Sequence, residues 1–124
     1  MKLPLIVDEK GDLLVFDSVG KMLTYLEAID VRNQEYTAYD SDGRLLQLGV
    51  AKTRSFFGLF EGPEFVTLEG EEATPSHATQ LRACISDFLI RVGVDRDWVA
   101  SASQAELVQK AVSCEKGCLK ADEP

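Results

Sequence analysis

A chain of 124 residues, 45% hydrophobic and 27% charged, suits one globular domain whose core can dispense with disulfide or metal staples. Its 21 acidic and 13 basic side chains leave a formal net charge of −8. That surface repels nucleic acid and anionic lipid, which bind through Lys and Arg, and it favours basic partners. No apolar run approaches the ~18 residues of a membrane span. The opening MKLPLIVDEKGD lacks the apolar region and cleavage site of a signal peptide, so a cytoplasmic location is expected.

Residues 3–7, LPLIV, read as a first strand that Pro4 would hold at a sheet edge. EKGD reads as a turn, and residues 13–16, LLVF, as a second strand. Then the period changes. Val19, Met22, Leu23 and Leu26 form one helical stripe, with Ser18 as N-cap and VRNQ as the loop that follows.

Residues 35–41 and 44–50 read as an antiparallel hairpin around Asp40, Ser41, Asp42 and Gly43. A calcium loop is excluded on spacing. Counting from Asp40, Gly stands fourth and Arg44 fifth, where an EF-hand needs an oxygen fifth and Gly sixth. Asp-Gly accepts the positive φ of a tight turn. Asp40 and Asp42 are therefore expected at a solvated tip, not as an acid–base pair.

Residues 52–60, KTRSFFGLF, and 64–69, EFVTLE, read as two more strands, with Gly58 marking a bulge. Phe56, Phe57 and Phe60 cannot all face one side of a regular strand. Either all are buried, because the bulge shifts the phase or a helix covers the other face, or one Phe is an exposed anchor for a partner. Residues 61–72 hold five Glu and no Lys or Arg, which suits a solvated loop or a surface for a basic partner.

From residue 75 the chain turns helical, with Leu81, Cys84, Ile85, Phe88, Leu89 and Val92 on one stripe. Thr74 and Pro75 are expected at the N-cap and N1 positions, and Gly93 at C′. His77, in the first turn, is expected to be neutral and structural. VDRDW reads as a connection, its Trp98 in the core or at an interface. SQAE, residues 103–106, is a capping box opening a last helix over 104–114 with Leu107, Val108 and Ala111 inward. The tail beyond residue 115 should fray.

Motifs for chemistry are missing. There is no P-loop, no G-x-G-x-x-G and no H-E-x-x-H, and nothing around the single His77 marks a nucleophile. Cys84, Cys114 and Cys118 read as reduced thiols; the lone C-x3-C falls short of the four ligands of a structural zinc. Neither metal nor cofactor nor catalytic residue is expected.

The segment 16–48, FDSVGKMLTYLEAIDVRNQEYTAYDSDGRLLQL, resembles the N-terminal part of small cytosolic immunity proteins of bacterial polymorphic toxin systems, of the contact-dependent, Rhs or type VI kinds. Asp17-Ser18-Val19, Tyr25-Leu26-Glu27, Ile29-Asp30-Val31, Tyr36, Tyr39-Asp40 and Gly43-Arg44-Leu45-Leu46 carry the likeness, over about a quarter of the chain. It implies a non-enzymatic inhibitor that binds a cognate toxin domain and covers its active site or substrate path. No functional residue carries over.

The partner surface is assigned from the residues themselves, to Phe57, Phe60, Glu61, Glu64, Glu69, Glu71 and Glu72, with Asp40 and Asp42 at the hairpin tip. The acids would meet toxin Lys and Arg, and a Phe would fill an apolar pocket. The alternative is a regulatory or adaptor domain that binds a small molecule or another cellular protein. The expected fold is α+β: an antiparallel sheet of about four to six strands, with one N-terminal and two C-terminal helices mainly on one face.

Overall fold

Leu5, Ile6 and Val7 are consecutive in a strand and all fully buried. Successive strand side chains point to opposite faces, so this strand needs cover on both sides. The arrangement that supplies it is seen in a computed structural model, which describes residues 1–54 and 61–121, with side chains for 1–53 and 62–114. In chain order the elements are β1 (Leu5–Glu9), β2 (Asp12–Phe16), α1 (Val19–Tyr25), α2 (Ala28–Arg32), β3 (Tyr36–Tyr39), β4 (Leu45–Arg54), β5 (Glu61–Glu71), α3 (Ala78–Arg91), α4 (Arg96–Ser101) and α5 (Gln104–Ala121). The strands form one antiparallel sheet in the order β2-β1-β3-β4-β5, so the fold is α+β.

The helices take both faces. Ile6, Leu13 and Tyr39 pack against Leu81, Ile85 and Leu89 of α3, Val99 of α4, and Leu107, Val108 and Ala111 of α5. On the other face Leu5, Val7, Ala38, Leu46 and Val66 pack against Met22 of α1 and Leu26 just after it. Expecting the helices mainly on one face was right for the C-terminal set. The N-terminal helices go to the opposite face because β1 is apolar on both sides.

Local signals held where a side chain satisfies backbone donors. Ser18 Oγ accepts the Lys21 N–H at 3.1 Å, which is N-cap geometry. Ser103 Oγ accepts the Glu106 N–H at 3.1 Å, while Glu106 Oε1 accepts the Ser103 N–H at 2.9 Å. Gly93, with φ +100°, follows α3 at C′.

Several expectations are corrected. β1 lies second in the sheet rather than at an edge; Pro4 precedes the strand, so the ladder never asks for its missing N–H. Residues 45–54 are one strand, β4, where two were expected. Its irregularities fall at Gln47/Leu48 and Lys52/Arg54. Gly58, Phe56, Phe57 and Phe60 lie outside the described residues. The N-terminal helical segment, expected to end at VRNQ, is broken at Leu26 and Glu27 into α1 and α2, the second running on to Arg32; α4 begins within the stretch read as a connection, and Asp95 caps it by accepting the Trp98 N–H at 3.0 Å. α3 starts at Ala78, with His77 in the N-cap position and not Thr74. α5 runs on to Ala121, past the expected end near 114.

Candidate functional site

The Asp40–Gly43 turn joins β3 to β4. The Asp40 side chain is wholly buried, which corrects its expected place at a solvated tip. It accepts the N–H groups of Lys2 at 3.0 Å, Asp42 at 3.0 Å and Arg44 at 2.8 Å, and Arg44 Nη1 at 3.2 Å. Burial alone would raise its pKa. The bonds from Arg44, Lys2 and Asp42 outweigh burial and hold the carboxyl below its usual range. The turn signal was sound; the short Asp carboxylate had been enlisted by surrounding backbone donors. Asp42 is half-exposed, with Arg44 Nη1 at 3.1 Å and Lys2 Nζ at 3.6 Å. Gly43 has φ +95°, and a Cβ there would collide with the Ala78 backbone at the start of α3. The position therefore demands glycine twice over.

Glu72 performs a similar task one strand away. Its Oε1 accepts the Leu45 N–H at 2.7 Å and its Oε2 the Ser76 hydroxyl at 2.5 Å. His77 Nδ1 lies 2.6 Å from Oε1. The Ser76 hydroxyl first, then the Leu45 amide, hold the Glu72 carboxyl below its usual range against a smaller opposing effect of burial.

Serine, histidine and glutamate thus stand together, but the geometry is not that of a nucleophile relay. Ser76 Oγ, at 3.2 Å, and Glu72 both approach the same ring nitrogen, Nδ1. A relay needs the hydroxyl on one nitrogen and the acid on the other. The cluster instead ties α3 to the start of β4, helped by the His77 N–H, which donates to the Gly43 carbonyl at 2.9 Å. The Cys84 thiol is pushed up to about 12, chiefly by burial. Among the described residues no group of three or more His, Cys, Asp or Glu converges as a metal site would require.

The remaining candidate residues are scattered. Glu64 is paired with Arg32 of α2. Glu71 lies 3.4 Å from the Met1 amino group. Phe57 and Phe60 lie outside the described residues, as does the Glu61 side chain. Glu69 differs from the other described acids of this set: it is exposed and makes no hydrogen bond or ion pair. Its side chain crosses the sheet over Gly49, where any Cβ would clash with it.

Glu69 belongs to a half-covered part of the sheet. On β4 and β5, Leu46, Leu48, Val66 and Leu68 face α1 and α2. Strand alternation puts Gln47, Gly49, Ala51, Phe65 and Thr67 on the opposite face; Glu69, the extra residue of β5 at the Gln47/Leu48 bulge, lies over Gly49 on the same face. There Gln47, Phe65 and Glu69 are exposed, Phe65 by 48%. The helices α3–α5 cover this face over β2, β1 and β3, with Leu45 the last residue of the hairpin beneath them.

Phe65 was not among the sequence candidates. The alternation in EFVTLE, with Val66 and Leu68 inward, was the signal that could have found it, but the richer Phe56–Phe60 stretch drew the aromatic anchor instead.

Elsewhere, a cavity of about 320 Å³ lies between the N-terminus, the turn and α5, lined by Lys2, Leu3, Pro4, Asp42, Gln104 and Val108 among others. An open groove runs past Trp98 and Lys110, whose ammonium lies 5.9 Å from the indole ring centroid. Among the described residues no helix is long and apolar enough to cross a membrane. No family model, curated protein or solved structure matches the chain.

Proposed function

We propose that this chain is an immunity-type inhibitor: it binds a cognate, cytosol-acting bacterial toxin domain and covers its active site or substrate path, with no catalysis of its own. The resemblance of residues 16–48 supports this reading. The observation that carries it is the half-bare β4–β5 hairpin, a ribbon backed by α1 and α2 on one face with Phe65 and Glu69 exposed on the other. Helix backing supplies the rigidity that a two-stranded ribbon lacks alone. The net charge of −8 favours a basic partner, such as a nuclease or a nucleotide-handling enzyme, and speeds encounter with it. A stable complex would bury about 1,200–2,000 Å².

The test is to mix the protein with the toxin domain encoded beside it. A single co-eluting species on gel filtration and rescue of cells expressing the toxin are expected. Separate elution with no rescue removes the reading.

The cavity beside Lys2 and Asp42 favours a second reading, an adaptor that binds a small molecule. Its volume of about 320 Å³ falls at the lower end of ligand pockets. A metabolite that raises the melting temperature progressively with its concentration, and loses that effect when Ala105, an exposed residue of the lining, is changed in Ala105→Trp, would move the assignment to this reading.

A further inference from the structure

We infer that the bare face of the β4–β5 hairpin receives a lysine or arginine side chain of the partner protein, its charged head on Glu69 and its aliphatic stem along Phe65. The inference rests on reading the chain as a protein-binding inhibitor and says where, and through which chemistry, the partner is held. Three features of the face converge on this occupant.

The first is the isolation of Glu69. Asp40, Asp42, Glu64, Glu71 and Glu72 each have a partner within the fold, while Glu69 has none. Covering a carboxylate with an apolar or acidic surface would strip its water without replacement, which is unfavourable. A cation resolves this, and the guanidinium fork or the ammonium is the side-chain form available to a polypeptide.

The second is the floor between the two exposed side chains. Ala51 stands opposite Phe65, and Gly49 opposite Thr67. The Glu69 side chain leans over Gly49 and so back towards Phe65. Gly49 and Ala51 are two residues apart on β4, about 6.6 Å. With Gly49 beneath the Glu69 carboxylate and Ala51 beside Phe65, the step from the carboxylate to the ring is about the length of a Lys or Arg stem. The aromatic end suits either the stem or the face of the cation.

The third is that Gly49 is what lets the carboxylate lie against the sheet. Any larger residue there would lift it off. A merely solvated Glu at the rim needs no such accommodation.

The probe is an acetylated, amidated Leu-Arg-Leu tripeptide titrated into 15N-labelled protein, with Leu-norleucine-Leu as control. Saturable amide shifts confined to Gly49, Ala51, Phe65, Thr67 and Glu69 are expected with the arginine peptide. In Glu69→Gln binding should weaken about tenfold or more, with the rest of the spectrum unchanged. Absence of shifts on this face, equal shifts with norleucine, or equal binding by Glu69→Gln overturns the inference. Shifts that depend on protein concentration alone would assign the face to a second copy of the chain and also overturn it.

With the neighbouring toxin domain, Glu69→Lys and Phe65→Ser should each weaken the complex about tenfold or more at unchanged melting temperature. A complex that forms with unaltered affinity for both variants removes the inference and leaves the immunity reading standing. If the toxin fails to bind while the arginine peptide still titrates this face, the immunity reading falls and the surface remains.

Discussion

Two sets of acids in this chain do opposite things, although Glu72 of one and Glu69 of the other are only three residues apart. Around the β3–β4 turn and the end of β5, the carboxylates of Asp40 and Glu72 are used up by backbone N–H groups, by Arg44 and by the Ser76 hydroxyl. Three residues before Glu72, at the bulge of β5, Glu69 meets none of these. The residue types are the same; what differs is the supply of donors. An acid beside the free N–H groups of a turn or a helix entry becomes part of the scaffold. One projecting from a strand, whose N–H groups point sideways into the sheet, is left for solvent or for a partner.

The largest expected effect of breaking this contrast is at Asp40. Asp40→Ala leaves the Lys2, Asp42 and Arg44 donors without their buried acceptor and should cost about 3 kcal/mol, read from urea unfolding. A loss under about 0.5 kcal/mol would make Asp40 as dispensable as a surface acid. Next comes Gly43→Ala, which meets both a positive φ and the Ala78 backbone; about 2 kcal/mol or more is expected, with α3 the element most disturbed in hydrogen exchange.

The pH dependence is smaller and spread over more groups. Asp40 and Glu72 have folded pKa values below the usual carboxylate range, so the unfolded chain holds their protons more tightly than the native one. Their stabilisation is complete above the unfolded pKa of about 4 and is lost as pH falls through the folded values. The urea midpoint should therefore drop between pH 6 and pH 3, and Asp40→Asn should flatten that slope. A slope unchanged in Asp40→Asn would show that other carboxylates set it.

The smallest effect completes the contrast. Glu69→Gln and Phe65→Ser should change stability by less than about 0.5 kcal/mol, since neither side chain is committed to the fold. A larger loss in thermal unfolding would mean that this face carries structure.

Legibility followed the range of the interaction. Ser18 capping α1 and Ser103 with Glu106 opening α5 were readable because both partners lie within three residues. The α3 stripe was readable because Leu81, Ile85 and Leu89 repeat with the helix period. The burial of Asp40 was not, because one of its donors, Lys2, is 38 residues away. His77 displaced Thr74 as the residue before α3 for a similar reason: its N–H is held by Gly43 and its ring stands against Glu72. Of the candidate surface, Glu69 was named and Phe65 was missed. The described acids beside Glu69 turned out to be occupied, through Arg32, the Met1 amino group, and the Leu45 amide with Ser76.

Periodicity, turn chemistry and capping by themselves determined an acidic α+β chain with an antiparallel sheet, a hairpin at residues 40–43 and two amphipathic C-terminal helices, because each depends on neighbours a few positions apart. Only the tertiary structure decided which acids are free and which face of β4–β5 is left bare. Both outcomes depend on where distant segments stop: α3–α5 end their cover at Leu45, and Lys2 brings its N–H to Asp40.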